Sequence, residues 1–288
     1  KPEGEESVSS FQALMVSTAS RVGTGNIVGV SSAVCIGGVG SVFWMWVIAI
    51  IGSASALAES TLAQIYKKKG KDGECYGGPA YYIEAALHSR GLAIAFCIAM
   101  ILTYAFGFNM LASYNLQSTF AGMSFYNVEV TPWMIGGILA LLTGWCLLGG
   151  GHRIVKVTST LVPFMGIIYI LVSLAVVVLN ISQLPAVLVQ IFEEAFNFKA
   201  IFAGFAGSAM MQGIRRGLYS NEAGIGSAPN AAASAVVSHP VKQGLVQMLS
   251  VFIDTLLLCT ATAMMCLVSG VIPAKELQGA PWVQAALH

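Results

Sequence analysis

Residues Ser17–Gly40 read STASRVGTGNIVGVSSAVCIGGVG, a segment apolar enough to enter a bilayer that nevertheless carries Arg21, Asn26 and a run of glycines. Gly23, Gly25, Gly29, Gly37, Gly38 and Gly40 lower helix propensity where a lipid-facing helix would carry leucine. Irregular backbone at membrane depth survives only where protein buries it or where it lines a polar cavity. The segment therefore predicts a helix broken near the midplane, the arrangement by which many secondary transporters hold a solute.

The rest of the chain fits that setting. Of its 288 residues 56% are hydrophobic and 9% are charged, against roughly 25% charged in soluble domains, so an all-α, multi-span membrane protein is predicted. Apolar stretches long enough to cross a bilayer fall at about 12–38 (broken), 41–66, 92–119, 131–149, 157–180, 196–219 (interrupted) and 241–270, about seven spans in a single transmembrane domain over residues 1–288. The sixth contains Gly204, Gly207, Gly213 and Gly217 with Gln212 among them. Such glycines by themselves suit close helix packing. Paired with the break in the first span they point instead to a transport site, because discontinuous helices in corresponding positions offer helix N-termini to a carboxylate and free carbonyls to a cation.

Basic residues occupy alternate loops: Lys67–Lys69, Lys71 and Arg90, then Arg153 and Lys156, then Arg215, Arg216 and Lys242. That bias puts these loops and the residues before the first span on the cytoplasmic side. The lysine run reads as a solvated, topology-setting loop rather than a nucleic-acid site. The segment GGPAYYIEAALH after it predicts a short interfacial helix behind Pro79. KPEGEESVSS at the start is polar and acidic, unlike a signal peptide, and without an initiator Met a fragment is expected.

Enzymatic and metal chemistry find no support. The six cysteines form no C-x-x-C pair and read as small buried residues, and the four histidines are scattered. Gly23-Thr24-Gly25 is followed by Val28 where a dinucleotide fingerprint needs glycine, and no Gly-Lys-Ser/Thr makes a P-loop. There remains a set of polar residues inside spans, each a functional candidate by its cost alone. Arg21 either meets solute or pairs with an acid at a cytoplasmic gate; the gate is favoured because a cation beside a cation site opposes ion binding. Glu59 is the candidate partner for Arg21 or for freed backbone groups, a structural role being favoured. Asp254, with Thr255 beside it, either neutralises a bound cation or caps a broken helix end.

SRVGTGNIVGV, the second-span segment VFWMWVIAIIGSASALAESTLAQIYK, GGPAYYIE, RRGLYSNEAGIGSAPNAAASA and HPVKQGLVQMLSVFIDTLLLCTATA together resemble the alanine or glycine:cation symporters, the sodium:alanine symporter family of the amino acid-polyamine-organocation superfamily. The resemblance runs along nearly the whole chain, and Gly217–Ala231 with its SNEAG core is its most specific part. It implies the leucine-transporter-like inverted-repeat fold, with the first and sixth core helices unwound around the substrate. It further implies substrate contacts at Gly23, Thr24, Gly25 and Asn26 in the first helix and Gly207, Ser208, Met211 and Gln212 in the sixth. Carbonyls near Ala19 and Val22, with Asn26, Asp254 and Thr255, would serve sodium. SNEAG reads as the cytoplasmic end of the sixth helix, where Glu222 pairs with Arg215 or Arg216, completing a gate with Arg21 and Glu59. Two departures stand out: Ala112 takes the place of a family glutamine, so Asn115 or Gln117 supplies that polar contact, and the family pattern implies further helices after Gly270, so a C-terminally truncated chain is expected.

The sequence thus predicts a monomeric inner-membrane symporter that imports alanine or glycine with sodium by alternating access and needs no cofactor. Proton coupling through Glu59 or Asp254, a passive channel and a non-transporting fragment are the alternatives.

Overall fold

A computed structural model describes residues 9–70, 75–197 and 208–287. The described chain is helical apart from one two-stranded hairpin, Lys68–Lys69 with Cys75–Tyr76. Helix α1 (Ser10–Arg21) opens with a capping box in which Ser9 and Gln12 satisfy each other's free amides. It stops at Val22, whose backbone is extended. A π-helical turn, Gly25–Gly29, then leads into α2 (Val30–Gly37). The first span is therefore two helices separated at Val22–Thr24, with Gly23 inside the break and Gly25 directly after it.

Helix α3 (Ser41–Ile65) is the central post. Its buried face repeats at three- and four-residue intervals through Ala49, Gly52, Ala56, Ser60 and Ala63. Small residues there let α10 (Ala209–Asn221), α11 (Ser227–Ser234) and α12 (Pro240–Val251) pack directly on it. Gly213 of α10 shows how close the approach is: a Cβ added there would strike the Ser41 carbonyl oxygen and lie 2.7 Å from Trp44 Cβ. Dispersion between such closely packed backbones substitutes for the hydrophobic effect, which is absent between helices in lipid.

The remaining helices surround this post. Pro79 starts α4 (Pro79–Leu87), the short helix expected from GGPAYYIE. Helices α5 (Arg90–Ile101) and α6 (Asn109–Ser118) form one long rod joined by a π-helical segment, Leu102–Phe108. Next come α7 (Thr131–Leu148), α8 (Gly150–Leu179) and α9 (Leu184–Ala195). Helix α12 runs through a third π segment, Phe252–Cys259, into α13 (Thr260–Val268). The last helix, α14 (Ala280–Ala285), tucks the fully buried Trp282 back against the core, with its indole donating to the Val271 carbonyl at 3.0 Å.

Five described helical stretches are long and apolar enough to cross a membrane: Ser41–Ile65, Arg90–Ser118, Thr131–Leu148, Arg153–Leu179 and Pro240–Val268, with Gly25–Gly37 as a shorter apolar helix. Trp133, Leu141, Leu148 and Leu179 are strongly exposed on the outer helices, as expected where lipid rather than water is the solvent. Of the predicted interruption of the sixth span, Gly204 and Gly207 lie outside the described residues, whereas Gln212, Gly213 and Gly217 fall within an unbroken helix, where the two glycines serve close packing on α3 rather than a break. The described part of that span begins with Ser208, which is extended and caps Met211 N–H at 3.3 Å. Three expectations need correction. Arg216 is no loop cation but lies inside α10 and is buried. Lys67 is not simply solvated, since its ammonium is held by Gln64 and the Ala235 carbonyl. Of the cysteines only Cys35, Cys259 and Cys266 are buried; Cys97 is exposed.

Candidate functional site

The break in the first span opens onto a cavity of about 300 Å³, at the small end of ligand pockets. One wall is the broken helix, with Ala19, Ser20, Arg21, Gly23, Thr24 and Gly25; a second is α10, with Arg216, Tyr219, Ser220 and Glu222. The third is the α5–α6 rod, with Tyr104, Phe108, Asn109, Ala112 and Asn115. Asn115 donates to Thr24 Oγ1 at 3.3 Å, tying the rod to the break. Tyr104 stacks on Phe108 and Phe108 on Tyr219, with ring centroids 4.7 and 5.1 Å apart. This aromatic ladder makes one side of the cavity apolar while the break and α10 keep the other polar.

Behind the break lies a second, fully enclosed group. Asp254, with no exposed surface, accepts from Asn26 Nδ2 at 2.7 Å, Ser220 Oγ at 2.6 Å and Thr255 Oγ1 at 2.9 Å. Thr262 donates to the Asn26 carbonyl at 2.9 Å, while the Asn26 side-chain oxygen, buried, has no partner. The carboxylate therefore joins three elements: the π turn after the break, α10 and the π segment after α12. All three π segments of the described chain border these two groups, in keeping with the tendency of π turns to mark functional sites by freeing backbone carbonyls.

On the remaining side, Glu222 closes α10 in the left-handed conformation, φ 47°. Its Oε2 accepts from Ser20 Oγ at 2.8 Å and Ser227 Oγ at 2.6 Å, clamping the end of α1 to the SNEAG loop. These two serines, not the expected Arg215 or Arg216, are its hydrogen-bond partners. Arg21 likewise departs from its expected pairing with Glu59: its Nη1 reaches the carbonyl and side-chain oxygen of Gln247 at 3.5 and 3.4 Å. Glu59, buried in α3, instead meets the backbone N–H groups of Gly224 and Gly226, the alternative partner expected for it, while its Oε1 has no partner.

The cavity thus gathers Ala19, Arg21, Gly23, Thr24, Gly25, Asn115, Arg216 and Glu222, with Asn26, Asp254 and Thr255 directly behind it. Other expected positions fall elsewhere. Val22 sits in an apolar crevice beside Pro163 of α8. Gln117 accepts from Tyr126 at 2.6 Å. Ser208, Met211 and Gln212 form the first turn of α10, outside the cavity lining. Sequence reasoning missed the aromatic ladder and Ser220; the signal available for the ladder was the Tyr104–Phe108 spacing within one span.

A helical, polytopic membrane protein with a polar cavity at a broken helix has the architecture of a solute transporter. The chain belongs to the Sodium:alanine symporter family, whose pattern matches residues 1–288. It is 50% identical over 275 residues to YrbD of Bacillus subtilis (96% of this chain, 56% of that protein). It is 47% identical over 289 residues to the amino-acid carrier protein AlsT of the same organism (100% and 60%), and 41% identical over 266 residues to the sodium/alanine symporter AgcS of Methanococcus maripaludis (92% and 59%). The chain therefore spans between 56% and 60% of the length of these three relatives. The family is one of transporters, not enzymes.

Proposed function

We propose that residues 1–288 form one transmembrane domain that supplies the binding centre of a sodium-coupled importer for a small neutral amino acid, alanine or glycine, in the cell inner membrane. The observation that carries this reading is the 300 Å³ cavity at the Val22–Thr24 break, with the buried Asn26–Asp254 pair immediately behind it. The unpartnered Asn26 oxygen and the Asp254 carboxylate suit a hard monovalent cation, for which oxygen ligands are the natural donors. Filling that position would hold the two halves of the first helix in one geometry. Amides exposed at the break would then meet the solute's carboxylate, carbonyls its ammonium, and the Tyr104–Phe108–Tyr219 ladder its short side chain. Sodium and solute stabilise the same conformation, so each raises the other's affinity. Release on the cytoplasmic side, where the chain's first residues also lie, requires the Ser20–Glu222–Ser227 clamp to open. The leucine-transporter-like inverted-repeat fold would provide the two orientations of alternating access.

Uptake of labelled alanine by the full-length protein in proteoliposomes, under an inward gradient of sodium or of potassium at fixed pH, tests the reading. Accumulation only with sodium supports it, and equal accumulation with potassium removes it. Competition by glycine and by glutamine then ranks solutes by size. Proton coupling is the second reading, favoured by the buried Glu59 with its unpartnered oxygen. It requires uptake without sodium that falls as external pH rises.

A further inference from the structure

Two guanidinium groups line the cavity, and they differ in what holds them. Arg21 is tethered to Gln247 through Nη1. Arg216 is 7% exposed, and neither its Nε nor its Nη2 has a hydrogen-bond partner. It lies in the notch left by two missing side chains of the broken helix: a Cβ on Gly29 would come within 2.5 Å of Nη1, and one on Gly25 within 3.1 Å of Nη2. On its other side the guanidinium stands 5.3 Å from the Tyr219 ring centroid. The neighbouring carboxylates are occupied: Asp254 by Asn26, Ser220 and Thr255, and Glu222 Oε2 by Ser20 and Ser227.

Burial of a charged group with free donors is costly unless a partner arrives. A planar fork with unused N–H groups beside the break is complementary to a carboxylate, which it binds through two parallel hydrogen bonds. We propose that Arg216 holds the solute's α-carboxylate together with the amides exposed at the break against which it lies, an inference that rests on the amino acid symporter reading. The same placement makes Arg216 a coupling element. Without solute, its charge opposes a cation held at Asn26 and Asp254. A carboxylate bound to the guanidinium cancels that repulsion, so solute binding tightens sodium binding and, by linkage, sodium tightens solute binding.

The test compares full-length wild type with Arg216→Gln in proteoliposome uptake and in detergent thermal melts with sodium, alanine or both. Arg216→Gln is expected to raise the KM for alanine at least ~100-fold and to abolish the alanine-induced rise in Tm. Its sodium-induced rise in Tm should persist, with half-saturation at lower sodium than in wild type. Inhibition by alaninamide, which lacks the carboxylate, should be the same in both proteins. An alanine KM within threefold of wild type overturns the inference, as does equal loss of alanine and alaninamide recognition. Should Arg216→Gln fail to fold, Arg216→Lys decides: it keeps the charge without the fork, and an unchanged alanine KM overturns the assignment whereas a roughly tenfold rise confined to carboxylate-bearing ligands supports it. Wild type that neither accumulates alanine nor is stabilised by it would overturn the symporter reading itself, an outcome distinct from failure of the Arg216 assignment alone.

Discussion

Replacing Asp254 separates its structural role from its ionic one. Asp254→Ala removes the acceptor shared by Asn26, Ser220 and Thr255. The two hydroxyls can turn elsewhere: Ser220 already lies 3.2 Å from Cys259 Sγ, and Thr255 is in a helical segment with carbonyls in reach. The Asn26 amide cannot do so without moving the break. One orphaned buried donor and the hole left by the carboxyl amount to about 3–5 kcal/mol, enough to lower Tm and abolish uptake together. Asp254→Asn keeps shape and one acceptor oxygen, and Asn26 can turn its free oxygen toward the new amide, so the stability loss should be about 1 kcal/mol. What is lost is the charge. For a cation ~4 Å away at an effective dielectric of ~20, that charge is worth about 4 kcal/mol, or roughly 10³-fold in affinity. The assay is the sodium dependence of alanine uptake by the full-length protein, with Tm measured on the same preparations. Asp254→Asn should fold and move half-saturation for sodium upward by two to three decades. Half-saturation within threefold of wild type would refute the placement of the ion beside Asp254.

Other perturbations are simpler to read. Gly213→Ala sets a methyl group against the Ser41 carbonyl and Trp44, where backbone on both helices cannot yield; a loss of about 1–3 kcal/mol should appear as a lower Tm, and an unchanged Tm would mean α3 and α10 are not in backbone contact at this point. Asn115→Leu removes the side-chain hydrogen bond from the rod to Thr24; alanine KM should rise about fivefold, matching the ~1 kcal/mol of a net hydrogen bond, with sodium half-saturation nearly unchanged. Glu222→Ala frees Ser20 and Ser227 and should unlatch this end of the cavity, seen as faster labelling of a cysteine placed at the half-buried cavity residue Ala19, while Glu222→Gln, which retains an acceptor, should label at an intermediate rate. Equal labelling of all three would exclude a latch.

Much of this could be read along the chain because it is local. Glycines at 23 and 25 weaken a helix by their own backbone freedom, an apolar run of membrane length must be helical when no water is present to satisfy its backbone, and Pro79 opens a helix by its own ring geometry. The family motifs likewise announced SNEAG and the first-span break. Partner choice was not local. Arg21 stood in sequence as the mate of Glu59 and Arg216 as a loop cation, yet the pairing of each depends on which helix face the packing of α3, α10 and α12 turns inward. Small residues on α3 let α10 come so close that Arg216 is carried past the surface into the notch at Gly25 and Gly29. The π segments themselves carry Asn26, Tyr104, Phe108 and Asp254, and packing stacks Tyr104 on Phe108 and Phe108 on Tyr219 and sets Asp254 on Asn26. Composition and motif determined that a polar site exists at the break; only the tertiary structure decided which polar and charged groups are paired and which remain free, because pairing depends on distances of a few ångströms between segments far apart in the chain, 228 residues for Asn26 and Asp254.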